Sequence, residues 1–365
     1  MRGQRDSRST SAGETFGSAR FATTLQYEGH PGFAARSRAL TADLARPDQP
    51  YPVGRQLVGL VRVLRAAAIE KALLLDSSEG SLHPDLLACC LVGLWPRRRR
   101  PVIVMAGAMW QPDRGPRGWL QSGIVRLADR AIARYVVQSS GELEAFPRQW
   151  RVDRSKMRLC RYFFTMAGPA ERGSPPTVPD DVFAGGNSHR DYEPLLTAAG
   201  RLPRLRFFLA TRLLEGRALP ANVTARQVPR EEFMARLASA RTLVVPLRDG
   251  LFRAAGQQTY LNGMMLEKPV IVRRAHGVDD HLTDGVTGLV VNGSPESYVR
   301  ALEWVFDPAN AAQVRRIGAA ARDAVLCQFT FDNHASRLLE ILDEAVAQNA
   351  ETGRSSPLAG AAPRM

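Results

Sequence analysis

Lysine is nearly missing from this 365-residue sequence: only Lys71, Lys156 and Lys268 stand among 49 basic residues. Arginine supplies the rest, against a background rich in Ala, Gly and Pro. That bias reads as codon pressure, so the net charge of +13 is not by itself a binding signal. Cysteine is also scarce. The four residues at 89, 90, 160 and 327 form an adjacent pair and wide gaps, which match neither zinc nor CxxC spacing. Reduced thiols in an intracellular protein are the expectation. Long apolar runs are absent as well. The stretch Leu57–Ile69 is interrupted by Arg62 and Arg65, and Leu86–Trp95 is too short to cross a bilayer. The polar segment 1–20 has no apolar centre for a signal peptide. Together these absences predict a cytoplasmic protein whose membrane contact, if any, is peripheral.

The composition that remains is globular, with 45% hydrophobic and 23% charged residues. The length exceeds what one core usually fills, so two domains are expected. Charge divides unevenly between the halves. Residues 1–180 carry 27 basic and 16 acidic groups (27 − 16 = +11), and residues 181–365 carry 22 and 20 (22 − 20 = +2). The first half therefore either faces an anionic partner (a membrane surface, a phosphorylated acceptor, a nucleic acid) or presents an arginine-rich face to solvent. No RNA- or DNA-reading motif accompanies the charge, so nucleic acid is not an expected partner.

Composition breaks organise the chain. Segments 1–20 and 349–365 read as disordered tails. Ala167–Asp181 (AGPAERGSPPTVPDD) has linker composition, with its Pro-rich part at 171–181. The expected domains are 21–170 and 182–331, followed by a helix over 332–348 whose Leu338, Leu339, Ile341 and Leu342 would pack back on the first domain. In the second domain, apolar runs at Val182–Ala184, Leu205–Ala210, Val223–Val228, Thr242–Leu247, Val270–Val272 and Leu289–Val291 alternate with helical segments Arg190–Gly200, Arg230–Ala240, Gln257–Leu266 and Pro295–Phe306. In the first, Ala72–Leu75, Val102–Met105 and Ala133–Val137 alternate with Val53–Ala68, Pro84–Leu94 and Trp119–Arg130. Buried runs separated by amphipathic helices imply parallel strands with crossovers. The predicted fold is α/β: two Rossmann-like, doubly wound domains facing each other across a cleft.

Three segments carry candidate chemistry. In Phe183–Asp191 (FAGGNSHRD), Gly185 and Gly186 end a strand, and Arg190 is placed in the first turn of the next helix. Such a turn lets a phosphate approach backbone N–H groups at a helix start, although it is not a full GxGxxG and fits a plain βα turn too. In Arg248–Pro269 (RDGLFRAAGQQTYLNGMMLEKP), Arg253 and Gly256 lie in a loop that leads to Gln257, Gln258, Thr259 and Asn262. Amides and hydroxyls offer the directed hydrogen bonds a sugar requires; Gln257 and Thr259 also fit helix caps, but a Gln-Gln helix start after a glycine loop is unusual and favours the ligand reading. The third segment, Arg273–His281, places two His and two Asp in a loop too loosely arranged to expect a metal.

From Tyr135 to Leu342, and most strongly in FAGGNSHRDYEPLL, GQQTYLNGMMLEKPVIV and DGVTGLVV, the sequence resembles glycosyltransferase family 4 and its relatives, which have the two-domain GT-B architecture. The resemblance implies that Gly185, Gly186 and Arg190 hold a donor diphosphate. It also implies two glutamates eight positions apart, which fall here on Ala254 and Asn262, and a cleft histidine after Val102–Met105, where this chain reads Ala106-Gly107-Ala108-Met109-Trp110. Arg253, Gln257 and Gln258 would then take over donor contacts, with Asn262 available to a ribose. Trp110 reads equally as an acceptor-stacking ring or as core, and Ser139 and Glu142 are expected on the acceptor rim, with Ser139 also a candidate helix cap.

The implied function is transfer of a sugar from a UDP- or GDP-linked donor to a hydroxyl on a glycan, lipid or cell-envelope precursor, retaining and without metal or other cofactor. Arg190 and Arg253 would stabilise the leaving diphosphate. Peripheral contact with an anionic membrane is expected of the basic half. The alternative is a non-catalytic nucleotide-sugar sensor on the same fold.

Overall fold

The computed structural model describes residues 19–44, 51–76, 82–108, 110–166 and 181–354. The expected tails over 1–20 and 349–365 and the linker over 171–181 therefore fall largely outside the described residues.

Two six-stranded sheets, parallel throughout, form the frame. The first contains β1 (Phe21–Thr23), β2 (Ser37–Ala39), β3 (Ala72–Asp76), β4 (Val102–Ala106), β5 (Ile132–Val137) and β6 (Met157–Leu159), in the order β2-β1-β3-β4-β5-β6. The second contains β7 (Val182–Gly185), β8 (Phe207–Ala210), β9 (Val223–Arg226), β10 (Thr242–Val245), β11 (Val270–Arg273) and β12 (Leu289–Val291), in the order β12-β11-β10-β7-β8-β9. The second order reverses direction between β7 and β10, the position at which open α/β sheets leave a crevice beyond the strand ends. The predicted doubly wound α/β fold is the observed one. Each long run of Val, Leu and Ile is buried on both faces, as a parallel sheet with helices on both sides demands.

Helices α1 (Pro31–Ala34), α2 (Val53–Ile69), α3 (Pro84–Val92), α4 (Gly115–Ala128) and α5 (Glu142–Trp150) accompany the first sheet. Helices α6 (Glu193–Arg201), α7 (Arg230–Ser239), α8 (Gln257–Met265), α9 (Pro295–Phe306) and α10 (Ala311–Gln328) surround the second. Helix α11 (Phe331–Arg354) then returns to the first sheet, burying Leu338, Leu339, Ile341, Leu342 and Ala345 against Leu74, Val104 and Val136. It therefore runs past the expected stop at 348. No helix breaker intervenes before Gly353, and ion pairs of Asp343 with Arg36 and of Glu344 with Arg158 fasten it to the sheet. The start of α6 is also corrected. Pro194 sits in its first turn, and Arg190 lies three residues before Glu193 in extended backbone that bridges Leu247. Strands β1, β2 and β6, of three residues each, are too short to show a period and were not expected.

His334 on α11 is buried beneath the first sheet. Its Nδ1 donates to the Arg161 carbonyl (2.8 Å) and therefore carries the proton, leaving Nε2 to accept from the Tyr27 hydroxyl (3.2 Å). Burial depresses its pKa from 6.5 to about 4. The stability tied to neutral His334 is complete above pH 6.5 and is lost as pH falls toward 4. The full effect is about 3 kcal/mol. Urea denaturation at stepped pH should show this loss in the native protein and a flatter profile over the same interval in His334→Gln.

Candidate active site at the seam between the sheets

The turn after β7 and the loop after β10 emerge side by side at the switch point, and Arg190 joins them. Its Nε donates to the Gly185 carbonyl (3.2 Å), Nη1 to the Ser188 carbonyl (2.9 Å) and Nη2 to Thr259 Oγ1 (3.2 Å). Glycine is required on both sides of this guanidinium. Gly186 has φ +116°, and a Cβ there would lie 3.1 Å from Arg190 Nη2. Gly256 has φ +75°, and its Cβ would meet Leu247 at 2.9 Å and Arg190 Nη1 at 3.3 Å.

Arg253 approaches from the second loop, with Nη2 3.0 Å from His189 Nε2. A guanidinium only donates, so His189 accepts through Nε2 and is neutral, its proton on Nδ1. Burial, then Arg253, Arg248 and Arg190, hold the His189 pKa below its usual value. Burial likewise lowers the pKa of both Arg190 and Arg253, the latter partly offset by Glu142. Among the described residues neither arginine has a carboxylate within ion-pair distance. Arg253 Nε and Gln257 Nε2 are buried without any hydrogen-bond partner. Helix α8 begins at Gly256 without a side-chain cap, so its first N–H groups remain as donors.

These groups line one cavity of ≈ 300 Å³. Gly186–Arg190 and Arg253–Thr259 form one wall, Gln138 reaches it from the end of β5, and Tyr162 reaches it from the segment after β6, which packs on the second-sheet core. Gly186, Arg190, Arg253, Gly256, Gln257, Gln258 and Thr259, all expected in the site, are thus brought together, and Gly185 lies directly behind them. The lining contains donors, two guanidinium groups and no carboxylate. Such a surface suits a multiply charged anion. His189 and Tyr162 also belong to it, and neither is among the residues expected from the sequence. For His189 a signal did exist, a bulky residue between Gly-Gly and Arg, which the fold holds at φ +56°.

Four expected residues are elsewhere. Trp110 is 6% exposed, with its ring among Tyr135, Phe146 and Trp150, and does not stack on an acceptor. Alternation along β4 would place it with Val102, Val104 and Ala106, but the turn at Gly107 (φ +60°) carries it into the opposite apolar layer with Ile103 and Met105. Ser139 and Glu142 are buried in the seam. The Glu142 carboxylate accepts from Ser139 Oγ (2.8 Å), from the Gln138 N–H (3.2 Å) and from the backbone of Ala254 across the seam, while burial raises its pKa. Neither residue is open to an acceptor, and Ser139 serves the glutamate rather than capping α5. Asn262 is fully engaged by Thr165, whose N–H donates to Oδ1 (2.9 Å) and whose Oγ1 accepts from Nδ2 (3.2 Å). It ties the segment after β6, whose Phe164 and Met166 pack on the second-sheet core, to α8 instead of meeting a ribose. Gln258 Nε2 also donates to Thr165 Oγ1 (2.9 Å). Phe252, packed against Trp150, and the hydrogen bonds from Ser140 to Asp280 complete the seam. Of the two loop histidines, His276 abuts Gly141 and His281 is buried against Tyr260.

No protein-family model matches the chain, and no curated protein matches it in sequence. Solved structures do match. HepE from Anabaena in complex with UDP and glucose superposes with a TM-score of 0.60 at 14% identity, covering 92% of this chain and 100% of that one. Sucrose-phosphate synthase from Thermosynechococcus elongatus gives 0.58 at 15% identity over 88% and 84%. A glycosyltransferase from Rickettsia africae gives 0.58 at 12% identity over 83% of each chain. The fold is therefore that of the GT-B glycosyltransferases.

Because Asn262 anchors Thr165 and with it the segment after β6, Asn262→Ala should cost roughly 1–3 kcal/mol of stability by leaving Thr165 unsatisfied. Chemical denaturation and calorimetry together should show this loss with unchanged nucleotide affinity.

Proposed function

We propose that this protein transfers a sugar from a UDP- or GDP-linked donor to a hydroxyl acceptor, with retention at the anomeric carbon and without a metal. One observation carries the reading: two half-buried guanidinium groups and an uncapped helix start converge on a cavity that holds no carboxylate. Removing positive charge from water without a partner is costly, and a bound diphosphate offsets that cost. The fold neighbours support the choice of anion, since HepE is bound to UDP and glucose and Arabidopsis starch synthase IV to ADP and acarbose.

In the reaction, the bond between the anomeric carbon and the diphosphate breaks and a bond to the acceptor oxygen forms. Charge grows on the departing phosphate, where Arg190, Arg253 and the amides at Gly256–Gln257 are already oriented. Each well-placed donor contributes on the order of 3 kcal/mol. The acceptor proton passes to the departing phosphate oxygen, which is basic and adjacent, so no carboxylate base is needed. Gln257 Nε2 is the donor available to the sugar. The acceptor is a glycan or a lipid-linked hydroxyl on the cytoplasmic side of a membrane.

A second reading, a nucleotide-sugar sensor without turnover, is favoured by the same absence of a carboxylate and by Ala254 at the seam. Donor consumption over a panel of acceptors separates the two. For either reading, Arg190→Ala and Arg253→Ala should each weaken nucleoside diphosphate binding by roughly 30-fold or more in calorimetry, in line with the loss of a charge-assisted donor. Arg253→Ala is the cleaner variant because Arg190 also holds the β7 turn. Gln257→Ala should lower turnover more than affinity for the free nucleotide, and an equal loss of both would remove Gln257 from the sugar subsite.

A further inference from the structure

The outer surface of the first half is unlike the rest of the molecule. Of the 13 exposed large hydrophobic residues among those described, 10 lie between Val53 and Leu120, and only Leu213, Val286 and Leu326 lie elsewhere. Helices α2, α3 and α4 pack side by side as one layer over the first sheet. At the cleft end of this layer are Leu57 on α2 and, in the first half of α4, Trp119 and Leu120, which are 84% and 68% exposed. At the opposite end are Ile69 and Leu94, 78% and 63% exposed. Between the end of α2 and the turn after α3 is a hollow of ≈ 500 Å³ lined by Ala68, Trp95, Pro96 and Arg99.

Charge on the three helices themselves has one sign; the flanking carboxylates include Glu70, paired with Arg38, and the exposed Asp113 just before α4. The three helices contain a single carboxylate, Asp85, which is buried and bonded to Thr24. Exposed arginines surround the apolar residues: Arg65 on α2, Arg97, Arg98 and Arg99 in the turn after α3, and Arg114 and Arg117 at the start of α4. Exposed aliphatic side chains, an exposed tryptophan and guanidinium groups that form no ion pair among the described residues are what an anionic bilayer surface takes up, each feature in its own stratum. A second copy of the same face would bring like charges together, which opposes self-association.

We propose that the α2–α4 face docks on an anionic membrane, with Trp119 and Leu120 entering the headgroup region and the arginines meeting lipid phosphates. The N-termini of α3 and α4 follow the carboxyl ends of β3 and β4, so the Trp119 end of the face adjoins the cleft. An acceptor held in the bilayer would reach the site from this side. The location of the acceptor rests on the transferase reading. Docking itself does not, and its test needs no nucleotide.

Sedimentation of the full chain with vesicles provides that test. Binding is expected to vesicles of roughly three parts phosphatidylcholine to one part phosphatidylglycerol, and not to phosphatidylcholine alone. Raising the salt should weaken it. The double variant W119E/L120E should reduce binding about tenfold or more, and R98E/R99E by a similar factor, with melting temperature and nucleotide affinity unchanged. No binding to the anionic vesicles would overturn the proposal, as would full binding by W119E/L120E. It would also be overturned if the protein were dimeric without lipid and W119E/L120E monomeric, which would make this face an interface between copies.

Discussion

Arg190 and Arg253 are half-buried positive charges with no carboxylate within ion-pair distance among the described residues, and Glu142 offsets only part of the cost of burial at Arg253. That constraint explains much of the architecture around them. Backbone carbonyls of Gly185 and Ser188 hold one guanidinium by dipoles alone, and a neutral histidine accepts from the other. Two glycines in left-handed or extended-positive conformations leave room for the Arg190 head. Carbonyl contacts orient a cation and leave its net charge intact, whereas a carboxylate would cancel it. The site therefore keeps its positive potential until an anion arrives.

The seam between the halves is built differently. Glu142 reaches across to the backbone of Ala254, Ser140 donates to Asp280, and Phe252 packs on Trp150. Most of these contacts are hydrogen bonds worth on the order of 1 kcal/mol each. A few such bonds fix the relative position of two sheets without making their separation prohibitive, which is what the proposed transfer reaction would ask of its site. Arg253 lies next to Ala254, so closure of the seam and placement of the guanidinium are mechanically linked.

The sheets were legible because buried runs such as ALLL, VIVM and FFLA leave no other reading, and the glycine turn and the Gln-Gln helix start stood out for the same local reason. The exceptions have physical causes. Three-residue strands show no period. Trp110 and Ser139 lie close to strand ends, and which side a residue faces there depends on the next turn rather than on the strand pattern. Asn262 and Glu142 read as pocket residues because their partners, Thr165 and the Ala254 backbone, are distant in sequence, and a polar side chain in a seam reads the same as one in a pocket. Tyr162 reaches the cavity from the segment that follows β6, a placement set by tertiary packing alone. The membrane-like face was visible only as net charge, since exposure of Trp119 cannot be read from composition.

The central claim is that the seam binds a diphosphate through unneutralised guanidinium groups. Calorimetric titration of the full chain with a nucleoside, its monophosphate and its diphosphate at low salt measures this directly. The account predicts affinity rising with each phosphate, by roughly tenfold or more per step, and falling as salt is added. Equal affinity for all three ligands, insensitive to salt, would contradict it.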